Sequence, residues 1–514
     1  MERNEEQNGR VQLEFMNKTQ PMEWTAEITL PDYRSEISRL LWVRPTVMHP
    51  SRFVGGGKAD FSGPVRYDIL YTGPDGALYS AEAEEGYSFS VPLDSLSDFE
   101  ARAGVQVCAR PKIDAVISRV TGPRKLSVRC RMHADVRGYA VKDLTPRVKG
   151  EGKDESAIHR LCDAVENGRL YADGAEQFEV NDGFMPESGQ GDLRLIASHG
   201  EVLLPDASAA DGCVRCRGEA VITLLFCREG GEEAGTQCPF TVVRRIPFER
   251  EVLMDGVTPD CRALAEGKMG EIRATVDESG VSLAAQVVLA AEAQNEESVL
   301  ICRDMYLPGY HAECRFGEER LWSSAFCGNR NFSISGEQSA ADLGMPADAE
   351  VIDAMADAEI KDKSAEGNRA ILGGEMHCRV LYRHKGEYGV AEMSVPFRTV
   401  LEDCGEDMTG ACCVPVCRVS LTRDQLRADA EVQMMARTEN HRTVRVLEEV
   451  TFTPLEPMER ADFEICYPGE QDTLWEVGKR YGVSPAELAE ANGLPYDMPG
   501  SPEVLTDIPY LLIP

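Results

Sequence analysis

The chain lacks any long apolar segment and is poor in basic residues. Its 514 residues contain no run of about eighteen apolar residues, so the sequence predicts no membrane-spanning helix. Lys and Arg number 54 against 87 Asp and Glu, which gives a formal charge of −33. Because phosphate recognition needs clustered positive charge, this balance argues against nucleic acid and anionic membranes as partners. The first residues are polar and acidic, so we expect no secretory signal and a cytoplasmic location.

Motifs of catalysis and cofactor binding are also missing. The eight histidines are scattered without metallohydrolase spacing, and no nucleophile elbow with Ser between glycines occurs. The glycines before Lys58 do not make a phosphate-binding loop, because Arg52 stands where that loop needs Gly and Ala59 where it needs Ser or Thr. We therefore expect a protein that is not an enzyme and holds no cofactor. A hydrolase with an unrecognised acidic site is the least favoured alternative.

The cysteines could be reduced thiols in the core or ligands of a metal ion. The chain has 17 cysteines, and in a cytoplasmic protein these are expected to be reduced thiols. Cys213 and Cys216 have the spacing of half a zinc site, but a structural zinc needs a second close pair or a pair of histidines. We expect small apolar side chains on strands here, and no metal.

One short apolar stretch occurs three times. The copies are residues 63–71, 218–226 and 374–382, so consecutive copies open 155 and 156 residues apart. Each begins with Gly, carries apolar residues at every second position, and ends on an aliphatic pair and an aromatic residue. A period of two predicts a β-strand with one buried face and one face in water. The even spacing predicts a triplicated domain.

The repeat predicts a mostly β fold of three tandem small antiparallel sandwiches or barrels, arranged in a row. A second alternating strand recurs at 126–132, 283–289 and 426–432, which strengthens the repeat. We place the domains at residues 30–142, 191–306 and 346–456. Residues 1–29 are predicted to be a polar leader with an early strand. Residues 143–190 are predicted to be a linker, and 311–345 to be irregular.

The last fifty residues change to helical patterns. Thr473 and Glu476 form the pattern of a capping box before one short helix, and Ser484 and Glu487 form a second with Pro485 at the first helical position. Apolar stretches at 463–467 and 509–513 flank the pair. The order is β-α-α-β, and we place this domain at residues 462–514.

This C-terminal segment resembles the LysM domain. The resemblance is carried by residues 472–475, 479–481, 483–484 and 512–514, together with Leu488 and Asn492. In that family the ligand groove lies between the loop before the first helix and the loop after the second. The resemblance therefore implies a ligand or partner groove made of Gly469, Gln471, Asp472, Thr473, Leu474, Trp475, Asn492, Gly493 and Leu494. Two departures from the family pattern touch this groove: Gln471 replaces a Gly, and the loop at 495–508 is long.

The three β-units followed by one LysM are similar to the SPOCS-domain proteins of spore-forming Firmicutes. This resemblance implies a scaffold in spore coat assembly, located in the mother-cell cytoplasm at the forespore surface. Its LysM would dock a coat morphogenetic protein, the coat-basement ATPase. The alternative is a LysM that binds peptidoglycan glycans, with the β-units as spacers. Self-association through exposed strand edges is a further alternative for the β-units.

Overall fold

The computed structural model confirms a mostly β protein with a short helical module near its C-terminus. It describes residues 9–93, 104–150, 157–186, 192–229, 238–277, 280–366, 369–402, 407–455, 464–469, 472–495, 505 and 508–514. Both helices in these ranges lie in the last fifty residues. Neither has the length or the apolar content that a membrane crossing requires.

The first part of the chain forms two antiparallel sheets that pack against each other. The strands are β1 (Arg10–Thr29), β2 (Arg39–Val47), β3 (Ser51–Gly55), β4 (Lys58–Thr72), β5 (Leu78–Pro92), β6 (Gln106–Gly122), β7 (Lys125–Asp143) and the short β8 (Arg147–Lys149). One sheet centres on β4, which pairs with β2, β3 and β5, and the other has the order β1-β7-β6. Alternate residues of β4 and β7, such as Tyr67 and Cys130, share the core between the sheets.

The middle of the chain has the same two-sheet plan. Its strands are β9 (His159–Phe184), β10 (Asp192–Ala210), β11 (Cys213–Glu229), β12 (Cys238–Leu253), β13 (Arg262–Asp277) and β14 (Gly280–Tyr306). One sheet has the order β10-β11-β12 and the other β13-β14-β9. Ile222 and Leu224 of β11 pack with Leu283 and Val287 of β14 in one core.

The third part repeats this plan once more. Its strands are β15 (Tyr310–Ser339), β16 (Glu350–Glu366), β17 (Arg369–His384), β18 (Glu387–Glu402), β19 (Asp407–Thr422) and β20 (Gln425–Pro454). The orders are β16-β17-β18 and β15-β20-β19, and β8 pairs with β20 in parallel. Met376 and Val380 of β17 share a core with Leu426 and Ala428 of β20.

The early strand expected within residues 1–29 is present and long, whereas the linker expected at 143–190 and the irregular chain expected at 311–345 are wrong, because long strands lie there. β1 covers most of residues 1–29, β9 lies within 143–190, and β15 covers most of 311–345. Their local pattern is weak, but each pairs along a long central strand, namely β7, β14 or β20. Strand formation depends on such partners more than on intrinsic preference. The sheets therefore include strands that lie before the predicted domain starts at 30, 191 and 346.

The predicted water-facing side of the repeated strands is partly buried, because the three parts of the chain meet there. Leu70 of β4, Leu225 of β11 and Leu381 of β17 precede the closing aromatic residue of each repeated stretch, and all three lie in one apolar cluster. Each is at most 1 % exposed. The expected row of β-domains is thus replaced by an arrangement around a shared contact.

A buried network of charges joins the three parts a second time. Arg437 of β20 donates to Glu292 of β14 at 2.9 Å and contacts Glu439 at 3.2 Å. Arg137 of β7 donates to Glu439 at 2.7 Å, and the Tyr139 hydroxyl donates to it at 3.0 Å. Buried ion pairs of this kind are costly to break from one side, because the remaining charge is left uncompensated.

The C-terminal module has the predicted β-α-α-β order. Its elements are β21 (Glu464–Cys466), α1 (Leu474–Tyr481), α2 (Pro485–Asn492) and β22 (Leu511–Ile513). The two strands pair antiparallel, with Cys466 opposite Leu511. A small core of its own, formed by Cys466, Val477, Leu488, Leu505 and Leu511, holds the helices on the strands.

Candidate functional site

The start of α1 is set by Thr473. Its backbone is extended, and its hydroxyl accepts a hydrogen bond from the Glu476 amide at 3.2 Å, which satisfies one of the free amides at the helix start. The structure therefore shows the Thr473 half of the predicted capping box. Gly482 ends the helix with φ 65°, the left-handed conformation that favours glycine.

The start of α2 has both halves of its predicted box. The Ser484 hydroxyl accepts from the Glu487 amide at 3.0 Å, and the Glu487 carboxylate accepts from the Ser484 amide at 3.3 Å. Pro485 occupies the first turn, and Gly493 ends the helix with φ 64°. Both ends of this helix were predictable from the sequence, since every capping contact is local.

Asn492, a predicted groove residue, has a structural role in the module. Its amide nitrogen donates to the carbonyls of Leu488 and Leu512, each at 2.8 Å, and its oxygen accepts from the Leu512 amide at 2.7 Å. These bonds fasten the end of α2 to β22. Leu474 and Leu494 pack against the module core on either side.

Asp472 is also bound within the module. Its carboxylate accepts from the Gly469 amide at 3.0 Å and from Arg480 at 3.0 Å, and its backbone carbonyl accepts from the Leu505 amide. The Gly469 amide, followed by Arg480, lowers the pKa of the Asp472 carboxyl. Asp472 therefore has a structural role within the module. Gln471 lies outside the described residues.

Trp475 points away from the module and into the β-body, defined here as strands β1–β20. Its side chain is 8 % exposed, its ring meets that of Tyr306 edge-on at a centroid distance of 4.8 Å, and its Nε1 donates to Asp304 at 2.9 Å. Lys479 donates to the same carboxylate at 2.7 Å, and the Tyr306 hydroxyl donates to the Val483 carbonyl at 2.7 Å. The module is therefore held on the end of β14 by apolar and ionic contacts.

Asp304 and Tyr306 could not be predicted from the sequence, because they lie far from the module in the chain and contact it only in the folded protein. One signal was available, since a Trp in a motif at a helix start must either fill a small core or lie against a neighbour. The structure shows the second case. It also places Asp472, Thr473, Asn492, Gly493 and Leu494 in one small module.

A cleft of about 540 Å³ opens where the module meets the β-body. One wall is formed by Thr473, at the start of α1, and by Trp475, Glu476 and Lys479 of α1 itself. Strands β9, β14, β15 and β20 supply the other, which includes Arg303 and Arg445. Two of the nine predicted groove residues, Thr473 and Trp475, thus face a surface that lies outside the module.

Metal binding finds little support in the described residues. Glu14, Glu439 and His441 form the one group there whose ligand atoms lie within 4.8 Å of one another. The Glu439 carboxylate already contacts Arg137 and Arg437, so cationic side chains occupy the place a metal ion would need. Cys213 and Cys216 belong to no such group in that part of the chain.

Comparison with known protein families finds one match, to the LysM domain, at residues 470–498. The matched range contains both helices and both of their caps. Comparison with curated proteins and with solved structures finds no match to the chain.

Proposed function

We propose that this chain is a binding protein without catalytic activity, whose C-terminal LysM binds glycans containing N-acetylglucosamine, such as peptidoglycan. The observation that carries the proposal is the LysM match at 470–498, which contains both helices of the β-α-α-β module. The match favours glycan binding over the other functions considered. The β-body acts in this proposal as a platform that presents the module.

We also propose that the β-body consists of three tandem units of one design. Each part of the chain supplies one sheet centred on β4, β11 or β17. Each also supplies a second sheet with a long central strand, in the orders β1-β7-β6, β13-β14-β9 and β15-β20-β19. Leu70, Leu225 and Leu381 occupy equivalent positions in the repeated stretch and meet in one cluster. This arrangement supports duplication followed by packing around a common contact.

The glycan proposal is tested by incubating the full chain with insoluble peptidoglycan. We expect retention in the pellet, release by a soluble N-acetylglucosamine oligomer, and no retention on cellulose, which lacks the acetamido groups. The cellulose arm controls for nonspecific adsorption to an insoluble polymer. Failure of the oligomer to release the bound protein would contradict recognition of the sugar.

A second candidate function is a protein adaptor in spore coat assembly. The observation that favours it is the set of contacts that Trp475 and Lys479 make with the β-body, since a docking scaffold benefits from a fixed orientation of its binding surface. In this proposal the chain works in the mother-cell cytoplasm at the forespore surface, and the LysM contacts a coat morphogenetic ATPase. The similarity to SPOCS-domain proteins described above motivates the choice of partner.

Binding measurements with the purified ATPase distinguish the two candidates. The adaptor proposal expects the full chain to bind the ATPase and a chain ending at residue 455 to lose that binding. Equal binding by both forms would place the partner surface on the β-body, and no binding by either would remove this candidate. Parallel measurements on peptidoglycan show whether glycan and protein binding reside in the same module.

A further inference from the structure

The cleft between α1 and the β-body is built from two distant parts of the chain. Trp475 and Lys479 reach it from α1, whereas Val444 and Arg445 reach it from β20. Its volume of about 540 Å³ lies within the range of roughly 300–1,000 Å³ that is typical of small-ligand sites. The cleft exists only while α1 stays in contact with Asp304 of the β-body.

The floor of the cleft on the β-body is aliphatic. Leu161 and Val165 of β9, Ile301 of β14 and Val444 of β20 line it. Phe316 lies beside them, and the Arg445 guanidinium carbon stands 3.7 Å from the centre of its ring. This cation–π contact holds the guanidinium at the cleft, where its N–H groups can reach a ligand.

The charges around the cleft cancel, although the whole chain carries −33. Three acidic and three basic side chains line it, namely Asp163, Asp304, Glu476, Arg303, Lys479 and Arg445. Two pairs compensate each other directly: Arg303 lies 3.6 Å from Asp163, and Lys479 lies 2.7 Å from Asp304. The cleft therefore offers donors, acceptors and apolar surface without a strong field for an ion of either sign.

We infer that this cleft is a composite sugar site, in which the β-body supplies half of the contacts to the glycan bound by the LysM. The inference rests on the proposed glycan function and specifies where the sugar lies. An N-acetylated sugar is neutral and combines hydroxyl groups, an amide and a methyl group. These features match balanced polar side chains at the rim and an aliphatic floor.

The experiment measures binding of a soluble N-acetylglucosamine oligomer to the full chain by calorimetry. Arg445→Ala removes the donor at the rim, and Val444→Trp fills the floor, so we expect each to weaken binding by about tenfold or more. The matched control is Arg427→Ala, also on β20, where Arg427 pairs with Asp429 away from the cleft. That variant should bind as the unaltered chain does. Thermal melting of all three verifies that they fold.

The outcomes separate this inference from the proposed function. Binding by the unaltered chain that neither Arg445→Ala nor Val444→Trp weakens would overturn the composite site and leave glycan binding to the module loops alone. Absence of binding by the unaltered chain would overturn both. Weakening by the two cleft variants, with full binding by Arg427→Ala, supports a site shared between the module and the β-body.

Discussion

At the scale of single residues, the functional module depends on one carboxylate that lies outside it. Asp304 accepts hydrogen bonds from Trp475 and Lys479 at once, at 2.9 Å and 2.7 Å. Because Trp475 is largely buried, loss of this carboxylate would leave its indole N–H without its protein acceptor. A single side chain therefore links the local helix start to the rest of the molecule.

Replacing Asp304 with Ala should weaken the contact between α1 and the β-body. It leaves the buried Trp475 N–H unsatisfied, at a cost of about 1–3 kcal/mol. We expect faster hydrogen exchange at the amides of α1 than in the unaltered chain, while exchange in β4 stays unchanged. Asp211→Ala, in an exposed turn of the β-body, is the control. Equal protection of α1 in both variants would mean that the ring contact with Tyr306 alone holds the module.

At the scale of elements, local sequence patterns predicted helices and strands correctly, whereas pairing between distant strands could not be predicted. The caps of α1 and α2 are local, so their ends followed from Thr473, Ser484 and the two closing glycines. The repeated stretches are strands as predicted, because alternation is a local pattern. β9 was missed because polar residues and glycines interrupt its pattern, and its pairing with β14 cannot be seen locally. The structural contacts of Asp472 and Asn492 could not be predicted from the motif, because Asp472 bonds to Arg480 and Leu505 and Asn492 bonds to Leu512.

Gly168 shows why β9 carries glycine. A Cβ at this position would overlap the Trp322 ring, which is fully buried. Gly168→Ala should therefore lower the free energy of unfolding by about 1–3 kcal/mol, the usual cost of overpacking. Gly183→Ala on the same strand is the matched control, because a Cβ there would have its nearest neighbour at 3.9 Å. Denaturant unfolding of both variants measures the difference, and equal stabilities would show that Trp322 can move at little cost.

At the scale of the whole molecule, an acidic chain is held together by buried ion pairs. Glu292 of β14 contacts Arg110 of β6 at 3.0 Å and Arg437 of β20 at 2.9 Å, so it joins all three parts of the chain. Burial acts to raise the pKa of Glu292, but the two arginines outweigh it and lower the pKa to about 2. The carboxylate form is therefore the one that the fold requires.

Acid should consequently weaken the contact between the three parts. The folded-state pKa of Glu292 is below its ordinary value of 4.5, so its contribution is present above about pH 4.5 and is lost as the pH falls towards about 2. We expect the free energy of unfolding to fall over this interval. Glu292→Gln should be less stable at neutral pH by about 3–5 kcal/mol, since Arg110 loses its carboxylate partner and Arg437 keeps only Glu439. It should also show a shallower acid dependence, and an unchanged slope would assign the acid sensitivity to other carboxylates.

We expect the leucine cluster to couple the unfolding of the three parts, and two adjacent residues allow this to be tested. Leu225 and Leu224 of β11 are both almost fully buried, but Leu225 lies in the cluster shared with Leu70 and Leu381, whereas Leu224 lies in the core of the middle part. Each Leu→Ala change should cost about 2–5 kcal/mol. Only Leu225→Ala removes contacts between the parts, so calorimetry should show its single transition splitting, with the van't Hoff enthalpy falling below the calorimetric one. Leu224→Ala should keep the two enthalpies in the same ratio as the unaltered chain. If both variants lower the ratio equally, coupling does not depend on the leucine cluster, and the charged network around Glu439 must supply it.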